Sequence, residues 1–536
     1  MQRTGHDSNN LSSSVRLVFA AIFVAVILTS GAFVVGDVWT RTLGLGLASS
    51  AIAIPLGMSI RWVIRQGGRI GGLLTLACLV STMLPMVIHV SGWDAAIGKL
   101  GWLTTARGNV LTPLLSGWWA AAWTHGLIAA PQIGLLLHFC ENKLDRTYEK
   151  QALLEADGWT TFLSVTLWRL WPMLMVSVLW VIVTCSREIT VVDLYQVETF
   201  AEQIYLGYSL GNGNGPSALP TTIDTEINVG FSQTAIYVSL LAVAAVVMFI
   251  VLADTRRPNE NDTIATAARS NWLAAVIGIL LLLLLVAVPA ANVFIRASFY
   301  VDAVDGQLTQ NYSTDQVFRA LKKSCLDYRW EMIWSLAISL ASATTAIVGS
   351  ITLVRWTSGA TAKRLVFALI VACGLALPGP VTGSVLAQAF AIPTWSWFNW
   401  LVNYTVFAPV VATTIFTSPL IALAIWYVLH QTPQNVTEAA SLDGLSFGES
   451  FWRIRVAGNL KMIIGCWLLA CVLCFGELSA SQIVRPAGMD TVARKMLGDL
   501  HAGVNELTAG ISIVVAAAAI IMSLAGWSVI RIGSKK

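Results

Sequence analysis

The sequence predicts an all-α polytopic membrane protein with about twelve transmembrane helices. Of its 536 residues, 56% are hydrophobic and 12% are charged, whereas soluble domains have about 25% charged residues. The mean hydropathy of +0.70 is typical of a chain that lies mostly in lipid. The 22 tryptophans are compatible with aromatic belts at the membrane surfaces. The alternating pattern of a membrane β-barrel is absent.

Apolar runs of about 20 residues, each long enough to cross a hydrocarbon core about 30 Å thick, account for this fold class. A polar, charged stretch between the sixth and seventh runs separates a first half, 1–255, from a second half, 273–536, by a linker, 256–272. The predicted runs are 16–36, 42–60, 70–90, 113–138, 167–185, 233–253, 273–294, 331–354, 365–390, 405–430, 461–478 and 508–530.

Lysine and arginine residues predict the orientation. With the N-terminus inside, most of the 33 basic residues lie on the cytoplasmic side. The short basic loops RWVIRQGGR (61–69) and RWTSGATAKR (355–364) indicate this orientation most clearly, because the positive-inside rule applies best to short loops. Both termini are therefore expected in the cytoplasm.

A weak internal repeat relates the two halves. When the second half is shifted back by 289 positions, Glu149 aligns with Glu438 just before a span. In the same register, Glu188 aligns with Glu477 just after that span. Each pair of carboxylates thus has the same place relative to the membrane, which predicts a duplicated unit with pseudo-twofold symmetry.

The most informative segment is TEAASLDGLSFGES, 437–450, a polar stretch between two apolar runs on the predicted cytoplasmic side. Thr437 can cap a short helix, and small alanine side chains on that helix allow another protein to approach it closely. A glycine then ends the helix before a second, amphipathic segment. This pattern predicts a helix, a turn and a second helix that another protein can approach closely. The residues assigned to this docking surface are Glu438, Ala439, Ala440, Asp443, Gly444 and Ile454.

The first half carries a less regular copy of this segment, YEKQALLEADGWTTF, 148–162. The ungapped register keeps Glu149 on Glu438, and we retain it for that residue. An alternative register places Asp157 and Gly158 on the Asp-Gly of the second copy. We expect the turn at Gly158, so Glu149, Asp157 and Gly158 are the assigned residues and the two copies are unequal.

At these residues the sequence resembles a known family. EAASLDG, with Ile454 downstream, is similar to the EAA loop of ABC importer permeases, although Val456 and Ala457 stand where the family usually has Leu-Pro. The segments 375–390 (LALPGPVTGSVLAQAF) and 475–503 resemble the ferric-iron-type permeases, which fuse two halves in one chain. The resemblance covers nearly all of the second half and, more loosely, 143–210.

The resemblance implies a permease subunit of a binding-protein-dependent importer in a bacterial inner membrane. It implies a homodimeric ABC ATPase, which binds ATP-Mg, and an extracytoplasmic substrate-binding protein as partners, besides the lipid bilayer. Ferric iron is the expected substrate, with thiamine or phosphonate as alternatives, and an ion-gradient-driven secondary transporter is the rival class. The chain lacks a phosphate-binding GxxxxGK[ST] motif, metal-ligand spacing and a nucleic-acid-binding basic tract, so we expect no enzyme activity, cofactor or metal here.

Two further features point to a translocation path. Glu188 with Thr190, and Glu477 with Ser479, lie at the outer ends of two spans, where carboxylates either line a path or bind a neighbouring turn. Pro378 and Gly379 interrupt a span, and such a broken helix either lines a path or bends for packing.

Overall fold

The structure is a computed structural model that describes residues 37–98, 101–106, 113, 115–141, 147–209, 272–304, 307–358, 361–393, 395–430, 432, 434–503 and 505–533. Helices dominate this part of the chain, and three of them contain a π-helical segment. The helical elements are α1 (Asp37–Gln66), α2 (Gly68–Met83), α3 (Met86–Ile97), α4 (Trp102–Ala106), α5 (Gly117–Glu141), α6 (Thr147–Glu155), α7 (Gly158–Thr161), π1 (Phe162–Thr166), α8 (Leu167–Arg187), α9 (Thr190–Leu194), α10 (Phe200–Ser209), α11 (Trp272–Leu282), π2 (Leu283–Ala287), α12 (Val288–Ser298), α13 (Thr314–Asp327), α14 (Arg329–Thr357), α15 (Thr361–Ala376), α16 (Gly379–Ala391), α17 (Ser396–Tyr404), α18 (Phe407–His430), α19 (Gln434–Leu442), α20 (Phe447–Ser450), π3 (Phe451–Val456), α21 (Leu460–Phe475), α22 (Val492–His501) and α23 (Asn505–Gly533).

The described helices have the length and composition of a polytopic membrane protein. Seven are long and apolar enough to cross a membrane, and the number rises to ten if each of three bent pairs is one span. Ten of the predicted runs coincide with these elements, and the runs 16–36 and 233–253 lie outside the described residues. The run 70–90, expected as a plain span, is instead bent by 104° between α2 and α3.

The same series of elements occurs twice along the described chain. A long helix, a bent pair, another long helix, two short helices and a π-helical segment that leads into a span follow one another from α1 to α8 and again from α14 to α21. The last element differs, because it is continuous from Gly158 to Arg187 in the first series and bent by 72° between Val456 and Leu460 in the second. The π-helical segments begin at Phe162 and Phe451, in the register predicted from the glutamates. Packing repeats as well, because α1 packs against α5 and α8 while α14 packs against α18 and α21.

The helix bundle of the first series is held by close backbone approach and apolar side chains. A Cβ on Gly57 would lie 2.6 Å from Ile133 of α5, and one on Gly134 would lie 2.5 Å from Ile60 of α1. These glycines let α1 and α5 pack at short distance, as small residues do in membrane helices. In the second series, the largest apolar cluster includes Ile347, Phe367 and Ile425 from α14, α15 and α18.

The elements between the two series pack on the first one and on the C-terminal helix α23, which contacts both α12 and α13. The helix formed by α11, π2 and α12 lies against α1, α2 and α3. A hairpin of two antiparallel strands, Phe299–Val304 and Gln307–Tyr312, follows it and leads into α13. Neither the hairpin nor its strands were predicted, because the sequence analysis recognised only helical and loop patterns there.

Candidate functional site

Two short helix pairs lie at the end of the bundle that carries Arg61, Arg65, Arg355, Lys363 and Arg364, called here the basic end. The first pair is α6 with α7, and the second pair is α19 with α20. Both pairs precede a π-helical segment and a span, α8 or α21. The predicted docking residues therefore occupy equivalent places in the two series.

The turn of the second pair has the predicted glycine. Gly444 has φ +82°, a conformation that side chains with a Cβ rarely adopt. The N–H of Gly444 donates to the carbonyl of Ser441 at 3.2 Å, and that of Leu445 donates to the carbonyl of Ala440 at 3.1 Å. These two bonds form a Schellman motif, so Gly444 ends α19 as its sequence position indicated.

The helix after each turn begins with a side-chain cap. Ser446 caps α20 in a capping box with Glu449, whose N–H donates to the Ser446 hydroxyl at 3.3 Å. Asp157 caps α7 and accepts from the N–H groups of Trp159 and Thr160 at 3.0 and 3.4 Å. Hydrogen bonds from Thr160 hold the pKa of Asp157 below its usual range.

The predicted turn at Gly158 is wrong. Gly158 is the first residue of α7 and does not have a positive φ, and the turn consists of Ala156 and Asp157. Because the carboxylate of Asp157 caps the next helix, α7 can begin directly after this turn, and no residue with a left-handed conformation is needed there. The first turn is therefore shorter than the second, while α7 and α20 begin in the ungapped register.

The two pairs expose apolar side chains at their turns. Leu154 and Leu442 are each 87% exposed, Trp159 is 67% exposed and Phe447 is 56% exposed. Exposed leucine and aromatic residues next to polar turns are typical of protein-interaction surfaces. The sequence analysis missed these residues, although they flank the turns it singled out.

The assigned residues of the second pair divide between surface and interior. Glu438, Ala439, Asp443 and Gly444 are exposed, whereas Ala440 is buried and Ile454 is half-buried. The exposed subset is available to a partner. Ala440 contributes to packing within this chain.

Glu149 of the first pair has a different environment from Glu438. The Nη1 and Nη2 atoms of Arg65 donate to its two carboxylate oxygens at 2.8 and 2.9 Å. This bidentate ion pair ties α6 to the last turn of α1. The pairs are therefore unequal, as expected.

Glu188 and Glu477 each stabilise a turn that follows a span at the end opposite the basic end. These turns, 188–191 and 477–481, are called here the first and the second corner. Glu188 accepts from the N–H groups of Thr190 and Val191 at 2.7 and 3.1 Å. Glu477 accepts from the N–H groups of Ala480 and Ser481 at 2.6 and 3.2 Å. Both carboxylates are buried, and this geometry matches the turn-binding alternative for them, while a role in a path stays a prediction.

The two corners touch each other. The N–H of Ile189 donates to the hydroxyl of Ser479 at 3.3 Å. Arg187, next to the first corner, donates to the carbonyl of Phe416 in α18 at 2.7 Å, and its guanidinium lies 4.1 Å from the ring centroid of Phe416. The corner of each series is thus held against elements of the other.

The predicted break at Pro378 and Gly379 lies against the second corner. The helices α15 and α16 meet there at 98°, and a Cβ on Gly379 would lie 2.3 Å from the Cβ of Ser479. An equivalent break at Leu84 and Pro85 separates α2 from α3, and Pro85 contacts Gly476 beside Glu477. This second break was not predicted, although Leu-Pro occurs at both.

The structure therefore brings all six predicted path residues into one region: Glu188, Thr190, Pro378, Gly379, Glu477 and Ser479. The helices α2, α15 and α21 that lead to it have 16 residues each and rise about 24 Å, whereas α8 has 21 residues and rises about 32 Å. The region therefore lies towards one end of a hydrocarbon core about 30 Å thick. Irregular backbone there is tolerated where protein buries it or where it borders a water-filled path.

An acidic cluster lies beyond the corners. Glu202 of α10 shares a hydrogen bond with Asp193 of α9, and the Nε2 atom of His501 in α22 lies 3.8 Å from a carboxylate oxygen of Asp193. Burial, and next the charge of Asp193, raise the pKa of Glu202 to about 8. The cluster links α9 and α10, which follow the first series, to α22, which follows the second.

No protein-family model matches the chain, and no curated protein matches it either. The geometry of the helix pairs and corners therefore carries the functional argument.

Proposed function

We propose that the chain is the transmembrane permease subunit of an ABC importer, built from two homologous halves of six spans each. Separate ATPase subunits, a homodimer that binds ATP-Mg, would dock on the two helix pairs. A substrate-binding protein would deliver the solute at the opposite face. On this view the basic end is cytoplasmic, the membrane is a bacterial inner membrane, and the chain itself is not an enzyme.

One observation supports this proposal most strongly. Each exposed helix pair leads through a π-helical segment into a span, and that span ends at one of the two touching corners. The first path runs from α7 through π1 and α8 to Glu188, and the second from α20 through π3 and α21 to Glu477. Force applied to the pairs can therefore reach the region where the corners and breaks meet.

The proposed mechanism is alternating access. When the two ATPase subunits close on each other, the two helix pairs move towards each other and α8 and α21 tilt. This tilt separates the corners at Ile189 and Ser479. When they open, the corner contact forms again and closes the path. The predicted path residues border this contact, so their proposed role is to form the gate.

Co-purification tests the proposal. An ATPase subunit should be retained on the full chain extracted under mild conditions, and Leu154→Asp with Leu442→Asp should release it, because a buried carboxylate at each docking surface is costly. The control is Leu326→Asp, an exposed leucine (56%) on α13 away from both pairs. Retention of the ATPase by the Leu154 and Leu442 variant would contradict this docking surface, whereas absence of any ATPase on the unmodified chain would favour a secondary transporter.

Ferric iron is the proposed substrate. This proposal rests on the resemblance of 375–390 and 475–503 to the ferric-iron-type permeases. Thiamine and phosphonate are the alternatives within the same architecture. The test is to identify the solute bound by the substrate-binding protein that stimulates transport through this chain. Tight binding of another solute and no binding of ferric iron would reject iron and leave the importer proposal intact.

A further inference from the structure

A cleft of about 480 Å³ lies beside the second helix pair at the basic end. It is lined by Thr352, Arg355, Trp356, Ser358, Lys363 and Phe447. The cleft thus lies between the last turn of α14, the first turn of α15 and the start of α20. Two of its lining side chains are cationic, and none is acidic.

The cationic groups of this cleft have no carboxylate partner in the part of the chain that the structure describes. Arg355 and Lys363 are exposed and take part in none of the ion pairs found there. The guanidinium of Arg355 lies 5.6 Å from the ring centroid of Trp452. Arg364 and Arg455 nearby lie close enough for their charges to repel each other. The lining of the cleft is therefore positively charged.

The first series offers a comparison, because the arginine in the last turn of its first long helix has a carboxylate partner. Arg65 is in the last turn of α1, as Arg355 is in the last turn of α14. Arg65 binds both oxygens of Glu149, whereas Arg355 faces an open cleft. Each of these last turns thus carries an arginine, although the 289-position register places Val354 on Arg65. Arg355 has no ion pair among the described residues, which leaves its guanidinium available to an external anion.

The surface next to the cleft is apolar and faces outward. The side chains of Val348, Trp356, Leu365, Leu369 and Ile370 on α14 and α15 are 44–59% exposed. These helices are spans, so this surface is where acyl chains would lie. An anionic group with attached hydrocarbon fits both parts of the site, whereas a free anion uses only the cleft.

We propose that the cleft binds the phosphate headgroup of an anionic membrane lipid, with Arg355 and Lys363 as its ligands and the lipid chains along α14 and α15. Cationic pockets at the ends of membrane helices recognise such headgroups. Because Phe447 lines the cleft and Trp452 stacks with Arg355, a bound lipid would hold the second pair against the membrane. The first pair is held by Arg65 and Glu149 instead. Lipid binding itself does not rest on the proposed transport function.

Native mass spectrometry of the purified full chain in neutral detergent tests this site, with phosphatidylglycerol and phosphatidylcholine as probes. Phosphatidylglycerol should bind more tightly, and Arg355→Gln with Lys363→Gln should weaken it by roughly tenfold to thirtyfold, because two charges are lost. Lys322→Gln with Lys323→Gln removes two exposed charges on α13 and should have no effect. The charge-retaining Arg355→Lys with Lys363→Arg should keep the preference, which separates charge from misfolding.

Three results would overturn the proposal. Equal affinity for the two lipids would show that the cleft does not select an anion. An equal loss in both double glutamine variants would show a diffuse charge effect. Displacement of phosphatidylglycerol by inorganic phosphate at matched concentration would assign the cleft to free phosphate. None of these results bears on the ATPase, so they are independent of the co-purification test.

Discussion

Gly379 is the residue at which the broken helix and the second corner come closest. A Cβ there would lie 2.3 Å from the Cβ of Ser479, so Gly379→Ala forces one of the two elements to move. We expect a loss of stability of about 1–3 kcal/mol, typical of overpacking, and a lower transport rate. The measurements are thermal unfolding of the purified chain and solute uptake in vesicles.

Gly349 supplies the matched control for Gly379. It lies within α14, and a Cβ added there meets nothing within 4 Å. Gly349→Ala should therefore leave uptake unchanged and should not destabilise the fold, because alanine favours helices. If Gly379→Ala behaves like this control, the close contact of α16 with the corner is not as described.

The raised pKa of Glu202 leads us to expect that the free energy of unfolding depends on pH. Its folded pKa of about 8 lies well above that of an exposed glutamate, because burial and the charge of Asp193 disfavour ionisation. Between about pH 5 and about pH 8 the folded chain keeps a proton that the unfolded chain has released, so stability falls as pH rises and levels off above the folded pKa. The measurement is the unfolding temperature as a function of pH.

Glu202→Gln isolates this contribution. Glutamine resembles the neutral carboxyl group, so the variant should fold and should lose part of the decline in that pH range. The neighbouring groups that also titrate or carry charge are Glu188, Asp193 and His501. A pH profile that Glu202→Gln leaves unaltered would assign the decline to these groups instead.

Single residues show what sequence reasoning can and cannot reach. The role of Gly444 was predictable, because a glycine after a short helix supplies a left-handed residue locally. The role of Gly158 was predicted wrongly, because Asp157 caps the next helix and removes the need for that conformation. The bidentate pair of Arg65 and Glu149 joins residues 84 positions apart, so no local pattern indicates it.

The turn of the second helix pair predicts an uncoupling variant. Gly444→Val places a β-branched residue at φ +82°, which costs roughly 1–2 kcal/mol and distorts the Schellman motif. The turn is exposed, so we expect the spans to remain folded while ATP hydrolysis by the partner no longer drives uptake. The measurement is the number of solute molecules transported per ATP hydrolysed.

Gly465→Ala is the control for this variant, because Gly465 within α21 does not have a positive φ and an added Cβ meets nothing within 4 Å. It should leave coupling unchanged. A second variant, Glu438→Lys, reverses an exposed charge of the docking surface and should also uncouple. Normal transport by both Gly444→Val and Glu438→Lys would contradict a coupling role for this pair.

Elements were more predictable than their bends. Ten apolar runs coincide with described spans or bent pairs, since length and hydropathy are local properties of the sequence. The break at Pro378 was predicted from its proline and glycine, but the one at Pro85 was not, because a single proline is common within spans. Helices α1, α5 and α8 contain internal prolines without such a break.

The two series of elements form one connected arrangement. Their corners contact each other, and α12 bridges them because it packs against α3 of the first series and against α23, which follows the second. The register of the glutamates predicted the correspondence of π1 with π3. The sequence did not predict that corners and breaks meet, because side-chain contacts between distant segments depend on packing.

Disulfide trapping at the second corner tests the central claim most directly. A Cβ on Gly476, beside Glu477, would lie 2.8 Å from the Cβ of Pro85 at the break of the first series, so a small shift brings Gly476→Cys with Pro85→Cys into the roughly 3.5–4.5 Å Cβ separation of a disulfide. We predict that the oxidised chain keeps its ATPase partner but does not transport, and that reductant restores uptake, whereas neither single variant responds to oxidant. Uptake at the unmodified rate by the oxidised double variant would contradict a gate at this corner.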